Sequence, residues 1–163
     1  ASWGGLDIGS NQLYPTQVVD GRVSEFGGRA LVDALRDLNG CDVGDAVRTD
    51  ATEQLAHNFT HIIHTVPPYP TDDDADVLLE RCYSSALRLA SRIDCNVVVS
   101  PLLGNGQRGF SDERAVVAAV RALENFEDDS ASAPKLCFGL IDDTLPSMFG
   151  EVFARNGVFV EVE

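Results

Sequence analysis

From about residue 60 onward, short apolar runs alternate with stretches whose apolar residues recur every three to four positions. That is the pattern of a mostly parallel sheet covered by helices. Thr60 to Val66 is rich in β-branched residues and stops at Pro67-Pro68, which cannot continue a central strand. Val77, Leu78, Cys82, Tyr83, Ala86, Leu87 and Ala90 then fall at helical spacing, and Asp72-Asp73-Asp74 would complement that helix's N-terminus. Cys95 to Ser100 reads as a buried strand without a polar face, because Val97, Val98 and Val99 are consecutive. Pro101 to Phe110 is a glycine-bearing loop. Ser111 caps the next helix, which should bury Val116, Val117, Val120 and Leu123. A surface loop over 127–134, a strand over 136–141, a helix over 147–155 closed by Asn156-Gly157 and a last strand over 158–162 complete the order. Nearer the start, Leu6-Asp7-Ile8 and Gln17-Val18-Val19 read as short strands, and Ala30 to Leu38 as a helix ending at Asn39-Gly40. No linker is long enough to divide the chain, so residues 1–163 are expected to form one α/β domain.

Charge narrows the choice of partners. Twelve Lys and Arg stand against 26 Asp and Glu, a formal net charge of −14 that opposes non-specific attraction to nucleic acid or anionic lipid. No apolar run approaches the roughly 18 residues that cross a bilayer, and the opening Ala1 to Gly5 has neither the basic region nor the apolar core of a secretory leader. Cys41, Cys82, Cys95 and Cys137 are widely spaced with no CxxC pair, which suits reduced core thiols better than zinc or a disulfide framework. These features together lead us to expect an intracellular monomer, cytoplasmic or nuclear, with no bound metal.

Two glycine sites stand directly before predicted helices. Leu103-Gly104-Asn105-Gly106-Gln107-Arg108-Gly109-Phe110 follows a strand, and Phe26-Gly27-Gly28-Arg29-Ala30 precedes the first helix. Glycine permits positive φ and close backbone approach, so such loops can aim successive N–H groups at phosphate oxygens beside a helix N-terminus. The GxGxxG spacing of Gly104, Gly106 and Gly109 is weak by itself, and either loop could equally be a plain turn. Other chemistry has less support. His61 and His64 form an HxxH, but on a strand positions i and i+3 face opposite ways. Asp72-Asp73-Asp74 lacks the glycine and distal Glu of a calcium loop, and no serine sits in a Gly-x-Ser-x-Gly elbow.

The order of motifs resembles a macro domain, the ADP-ribose-binding module. Gly40-Cys41-Asp42-Val43-Gly44-Asp45-Ala46-Val47 is similar to the family's Gly-Asp-Ala turn, and His61 to Pro67 to its Ile-His-Ala-Val strand. Leu79 to Leu87 resembles the helix signed Leu-x-x-Cys-Tyr, and Pro101, Gly106, Gly109 and Phe110 fall in register with the diphosphate loop. The general style is similar to the branch that includes the ganglioside-induced differentiation-associated macro domains. The resemblance implies a three-layer α/β/α fold with a mixed, mostly parallel central sheet. It also implies ADP-ribose, or an ADP-ribosylated protein, as ligand and partner, with no further cofactor.

Site roles follow from the same resemblance. Asp7 would accept from the adenine amino group, with Ile8 helping to hold the ring. Gly27, Gly28, Arg29 and Ala30 would form the first clamp, and Leu103 to Phe110 the phosphate cradle. Ile141 would cover adenine where many members carry an aromatic ring, and Asp142 follows it. Hydrolytic members end a strand in Asn-Ala-Ala-Asn, where this chain has Gln17-Val18-Val19-Asp20. Asp20 could accept from a ribose hydroxyl but cannot donate as an amide does. Three readings therefore stand side by side: an ADP-ribose binder, which is preferred, a mono-ADP-ribosyl hydrolase, and a macro-like scaffold that binds no nucleotide.

Overall fold

The computed structural model describes residues 2–3, 6–7, 12–13, 19–38, 40–126, 133–140 and 143–156. Three short strands, β1 (Ser2–Trp3), β2 (Leu6–Asp7) and β3 (Gln12–Leu13), pair antiparallel at the start. Helix α1 (Val19–Asp37) follows, then β4 (Ala46–Asp50), a 3-10 turn (Glu53–His57) and β5 (His61–Thr65). The remainder alternates α2 (Ala75–Arg92), β6 (Val97–Ser100), α3 (Asp112–Glu124), β7 (Lys135–Phe138) and α4 (Leu145–Asn156). Strand β4 runs antiparallel to β5, from Ala46 opposite Thr65 to Asp50 opposite His61, whereas β6 and β7 are parallel. The described pairing is thus mixed, with helices packed on strands as an α/β chain requires.

Two apolar clusters hold these elements. Leu79, Tyr83, Val116, Val120, Phe149 and Phe153 join α2, α3 and α4, with Leu136 and Phe138 of β7 packed against them. Leu31, Leu35, Cys41, Leu55 and Val66 form the second cluster, which draws in Val23, Val47 and Ile62. Helices α1 and α2 both pack on β4. Cys41 and Cys82 are buried free thiols, and Cys95 and Cys137 are half-buried. Burial pushes Cys41 up to about 11 and raises Cys82 as well, so both are neutral hydrophobes at pH 7.

Several expectations need correction. Val19 and Asp20 begin α1, and do not end a strand. Half-buried Val23, one turn on from Val19, contributes to the second cluster, so tertiary packing overrides the β preference of the Val18-Val19 pair. The predicted 30–38 helix is the second half of α1, whose backbone breaks at Gly28. On α2 the buried positions are Ala75, Leu79, Cys82, Tyr83, Leu87 and Ala90, while Val77 is 61% exposed on the other side. The acidic run acts differently too. Asp74 is a left-handed N-cap with no side-chain cap bond, and Asp72 accepts from the Tyr69 N–H at 2.8 Å. Val97 and Val99 are 55% and 59% exposed, so β6 is not buried on both faces; a continuous apolar run cannot reveal how many faces are covered. Strand β7 ends at Phe138, short of the expected 141. The strand over 158–162 and most of the 127–134 loop lie outside the described residues. Ser111 does cap α3, accepting from the Arg114 N–H at 3.4 Å.

Candidate functional site

The loop after β6 is fixed from beneath by α2. Tyr83 is buried, edge-on to Phe138 with ring centres 6.0 Å apart, and its hydroxyl accepts from the Leu103 N–H at 2.7 Å. Burial raises the phenol, which stays protonated and serves only hydrogen bonding. The chain then folds back on itself: Gly109 N–H donates to Gly106 O and Phe110 N–H to Gly104 O, both at 3.0 Å. Gly104 (φ +90°) and Gly109 (φ +83°) occupy the left-handed region that this reversal demands. Gly104 is also closely packed. A Cβ there would lie 3.1 Å from Phe110 and 3.2 Å from Leu79, both buried, whereas one at Gly106 would meet nothing within 4 Å.

The result is a loop with a solid base and an open rim beside the N-terminus of α3. Among the described residues, the N–H groups of Gly104, Asn105, Gly106 and Gln107 have no backbone acceptor. The Asn105 amide donates to Asp112 at 3.2 Å, and the Arg108 guanidinium stacks 4.6 Å from the Tyr69 ring centre. Phe110, a candidate ligand residue by sequence, is 3% exposed, so its ring anchors the loop in the core and its backbone shapes the turn.

The first glycine site is a break inside α1. Gly28 has φ 60° and ψ −156°, a conformation essentially confined to glycine. The Gly27 carbonyl accepts from the Thr52 hydroxyl at 2.6 Å, and a side chain at Gly28 would run into the Glu53 carboxylate. Glu53 itself takes a left-handed φ of 46°. Arg29 and Ala30 are exposed, and Arg29 lies 3.6 Å from Asp33. Asp20 is half-buried in the first turn of α1. Asp7 lies in β2 opposite Ser2 and Gln12 with its side chain outside the described set, as are Ile8, Ile141 and Asp142. Thus Leu103 to Phe110 are assembled into one loop, whereas Gly27 to Ala30 lie within α1 at its break.

Sequence reasoning missed Tyr83 as the prop beneath the loop, and Thr52 and Glu53 as neighbours of Gly27 and Gly28. The tyrosine had a signal, since a phenol on a buried helix face needs a polar partner. The contact of Gly27-Gly28 with residues about 25 positions on had none. The histidines are structural: His64 Nε2 lies 2.9 Å from the Thr49 hydroxyl, and His61 Nδ1 lies 3.1 Å from Asp50. Among the described residues no group of His, Cys, Asp and Glu could hold a metal ion.

A glycine loop of this form, between a parallel strand and a capped helix, belongs to an α/β domain and has the backbone geometry that can present N–H groups to an anion. The macro domain family model matches residues 10–119, and the chain belongs to that family. The O-acetyl-ADP-ribose deacetylase 1 of Pantoea vagans is 34% identical over 113 residues, covering 66% of this chain and 64% of that protein. A variant of the Oceanobacillus iheyensis macrodomain, solved with ADPR, matches with a TM-score of 0.75 at 25% identity, covering 85% of this chain and 77% of the other. The macro domain of ganglioside induced differentiation associated protein 2 matches with a TM-score of 0.71 at 27% identity, covering 83% and 67%. No helix among the described residues is long and apolar enough to cross a membrane.

Proposed function

We propose that this chain binds ADP-ribose, free or carried on an ADP-ribosylated protein, with its diphosphate in the Leu103 to Phe110 loop. One observation carries the reading. In a chain of this family, the run of N–H groups from Gly104 to Gln107 lacks backbone acceptors among the described residues, at the N-terminus of α3, on a loop whose base is closely packed. Such amides satisfy anionic oxygens without any lysine, which suits a protein of net charge −14. The Oceanobacillus variant with ADPR supports this ligand.

The remaining roles belong to the same proposal. Asp7 and Ile8 receive adenine, Ile141 covers it and Asp142 adjoins it; Gly27 to Ala30 close over the ligand from α1, with Asp20 toward a ribose hydroxyl. The Glu53 carboxylate beside Gly28 opposes a phosphate there, so the second loop takes most of the phosphate charge. The deacetylase relative favours a second reading, a hydrolase that positions a ribose and a water against the diphosphate. Amide chemical shifts of labelled protein titrated with ADP-ribose test the main reading. Saturating shifts at Gly104 to Arg108 are expected, and shifts confined to other segments would overturn it. Release of product from an ADP-ribosylated peptide, measured on the same sample, tests the second.

A further inference from the structure

Away from both glycine loops, a groove of about 610 Å³ opens between the start of β4 and the outer side of α2. Its floor is Ala46, Val47 and Leu89, and three arginines rise from α2 at Arg81, Arg88 and Arg92. With Ser85 these sit at spacings of four, three and four residues, a single helical stripe. The acidic side of the lining is Asp42 and Asp45. Asp45 is already committed, because its carboxylate pairs with the Arg81 guanidinium, and Ser85 donates to the Gly44 carbonyl at 2.9 Å beside it.

What remains is two cations and one carboxylate facing the same space. Arg88 and Arg92 have no ion-pair or hydrogen-bond partner among the described residues, although the chain carries more than two acidic groups for every basic one. Like charges one turn apart oppose helix formation. A place in the last turn, where cations are favoured, accounts for Arg92. It does not account for Arg88 turned onto the same groove. A guanidinium's planar fork matches phosphate oxygens, and two of them one helical turn apart can share one phosphate. Asp42 is placed to accept from a hydroxyl or N–H next to that phosphate.

We infer that this groove is a phosphate-monoester site, held by Arg88 and Arg92 with Asp42 receiving a neighbouring donor group. It shares no lining residue with the glycine loops and does not depend on ADP-ribose binding. Two probes carry the same chemistry from different sources, glycerol 3-phosphate as a free metabolite and a short phosphoserine peptide as a protein segment. Each is titrated into labelled protein at ~0.15 M salt, where distant charges are screened, and amide shifts are followed. Saturating shifts over 40–47 and 81–92 are expected with at least one probe, and which probe binds identifies the source. The Arg88→Ala/Arg92→Ala double variant should bind at least about tenfold more weakly and keep its response to ADP-ribose. Arg88→Gln/Arg92→Gln serves as a second variant that removes both charges while keeping a polar, helix-compatible side chain. No saturation with either probe, shifts confined to Gly104 to Phe110, or unchanged binding in a folded double variant would overturn the inference.

Discussion

Gly104 and Gly106 stand two residues apart in one loop, and the structure assigns them opposite sensitivities. Alanine at Gly104 would hold a non-glycine residue at φ +90°, at about 1–2 kcal/mol. It would also force a methyl to 3.1 Å from Phe110 and 3.2 Å from Leu79, both fixed in the core. Overpacking of that kind costs about 1–3 kcal/mol, so the total is about 2–5 kcal/mol. For a chain of this size, that lowers the melting temperature by roughly 4–20 °C. At Gly106 the φ is ordinary and a Cβ meets nothing, so Gly106→Ala should stay within about 0.5 kcal/mol of the parent. Gly106→Glu should likewise fold, yet place a carboxylate on the rim and cost at least about tenfold in ADP-ribose affinity. Thermal melts and calorimetric titrations of the three variants separate base from rim. A Gly104→Ala protein that melts with the parent would refute the packing argument, and a folded Gly106→Glu protein with full affinity would refute the phosphate cradle.

Four further outcomes follow, three from named contacts and one from the adenine role proposed for Asp7. Tyr83→Phe removes the acceptor of the Leu103 N–H and should cost about 1–3 kcal/mol in urea unfolding; an unchanged midpoint would mean water replaces the phenol. Glu53→Gln removes a negative charge beside Gly28 and should tighten ADP-ribose about two- to fivefold, with unaltered affinity counting against a phosphate near the first loop. Burial lowers His64 to about 4 against about 6.5 unfolded, so the unfolded chain binds more protons between these values. Stability is then full above about pH 6.5 and falls by roughly 1–3 kcal/mol as pH drops to about 4. His64→Gln should flatten that slope in melts across the range, and parallel profiles would exclude His64 as its source. Asp7→Ala should weaken ADP-ribose more than ribose 5-phosphate, and equal losses would remove the adenine role.

The half of the chain with strong periodicity was legible because each signal had one physical meaning. Ser111 followed by Asp112 and Glu113 signals a helix start, and of the expected α2 stripe Cys82, Tyr83, Leu87 and Ala90 are buried, with Val77 the one that faces outward. Where a residue type serves two structures, sequence reading failed. Val18-Val19 favours a strand in isolation, yet Val19 opens α1 and Val23 packs with Leu31 and Leu35. The three valines of β6 could not disclose that two of them face outward. Within the site, both glycine loops were visible as compositions. Which glycine is packed and which is open depends on Leu79, Phe110 and Glu53, and that information lies in tertiary contacts alone.

Calorimetric titration with ADP-ribose, with ADP and AMP as controls, tests the central claim most directly. We expect saturable heat with ADP-ribose, tighter than with either control, and its loss in folded Gly106→Glu. No heat and no thermal stabilisation at millimolar ADP-ribose would contradict it, leaving a macro domain whose glycine loop serves the fold alone.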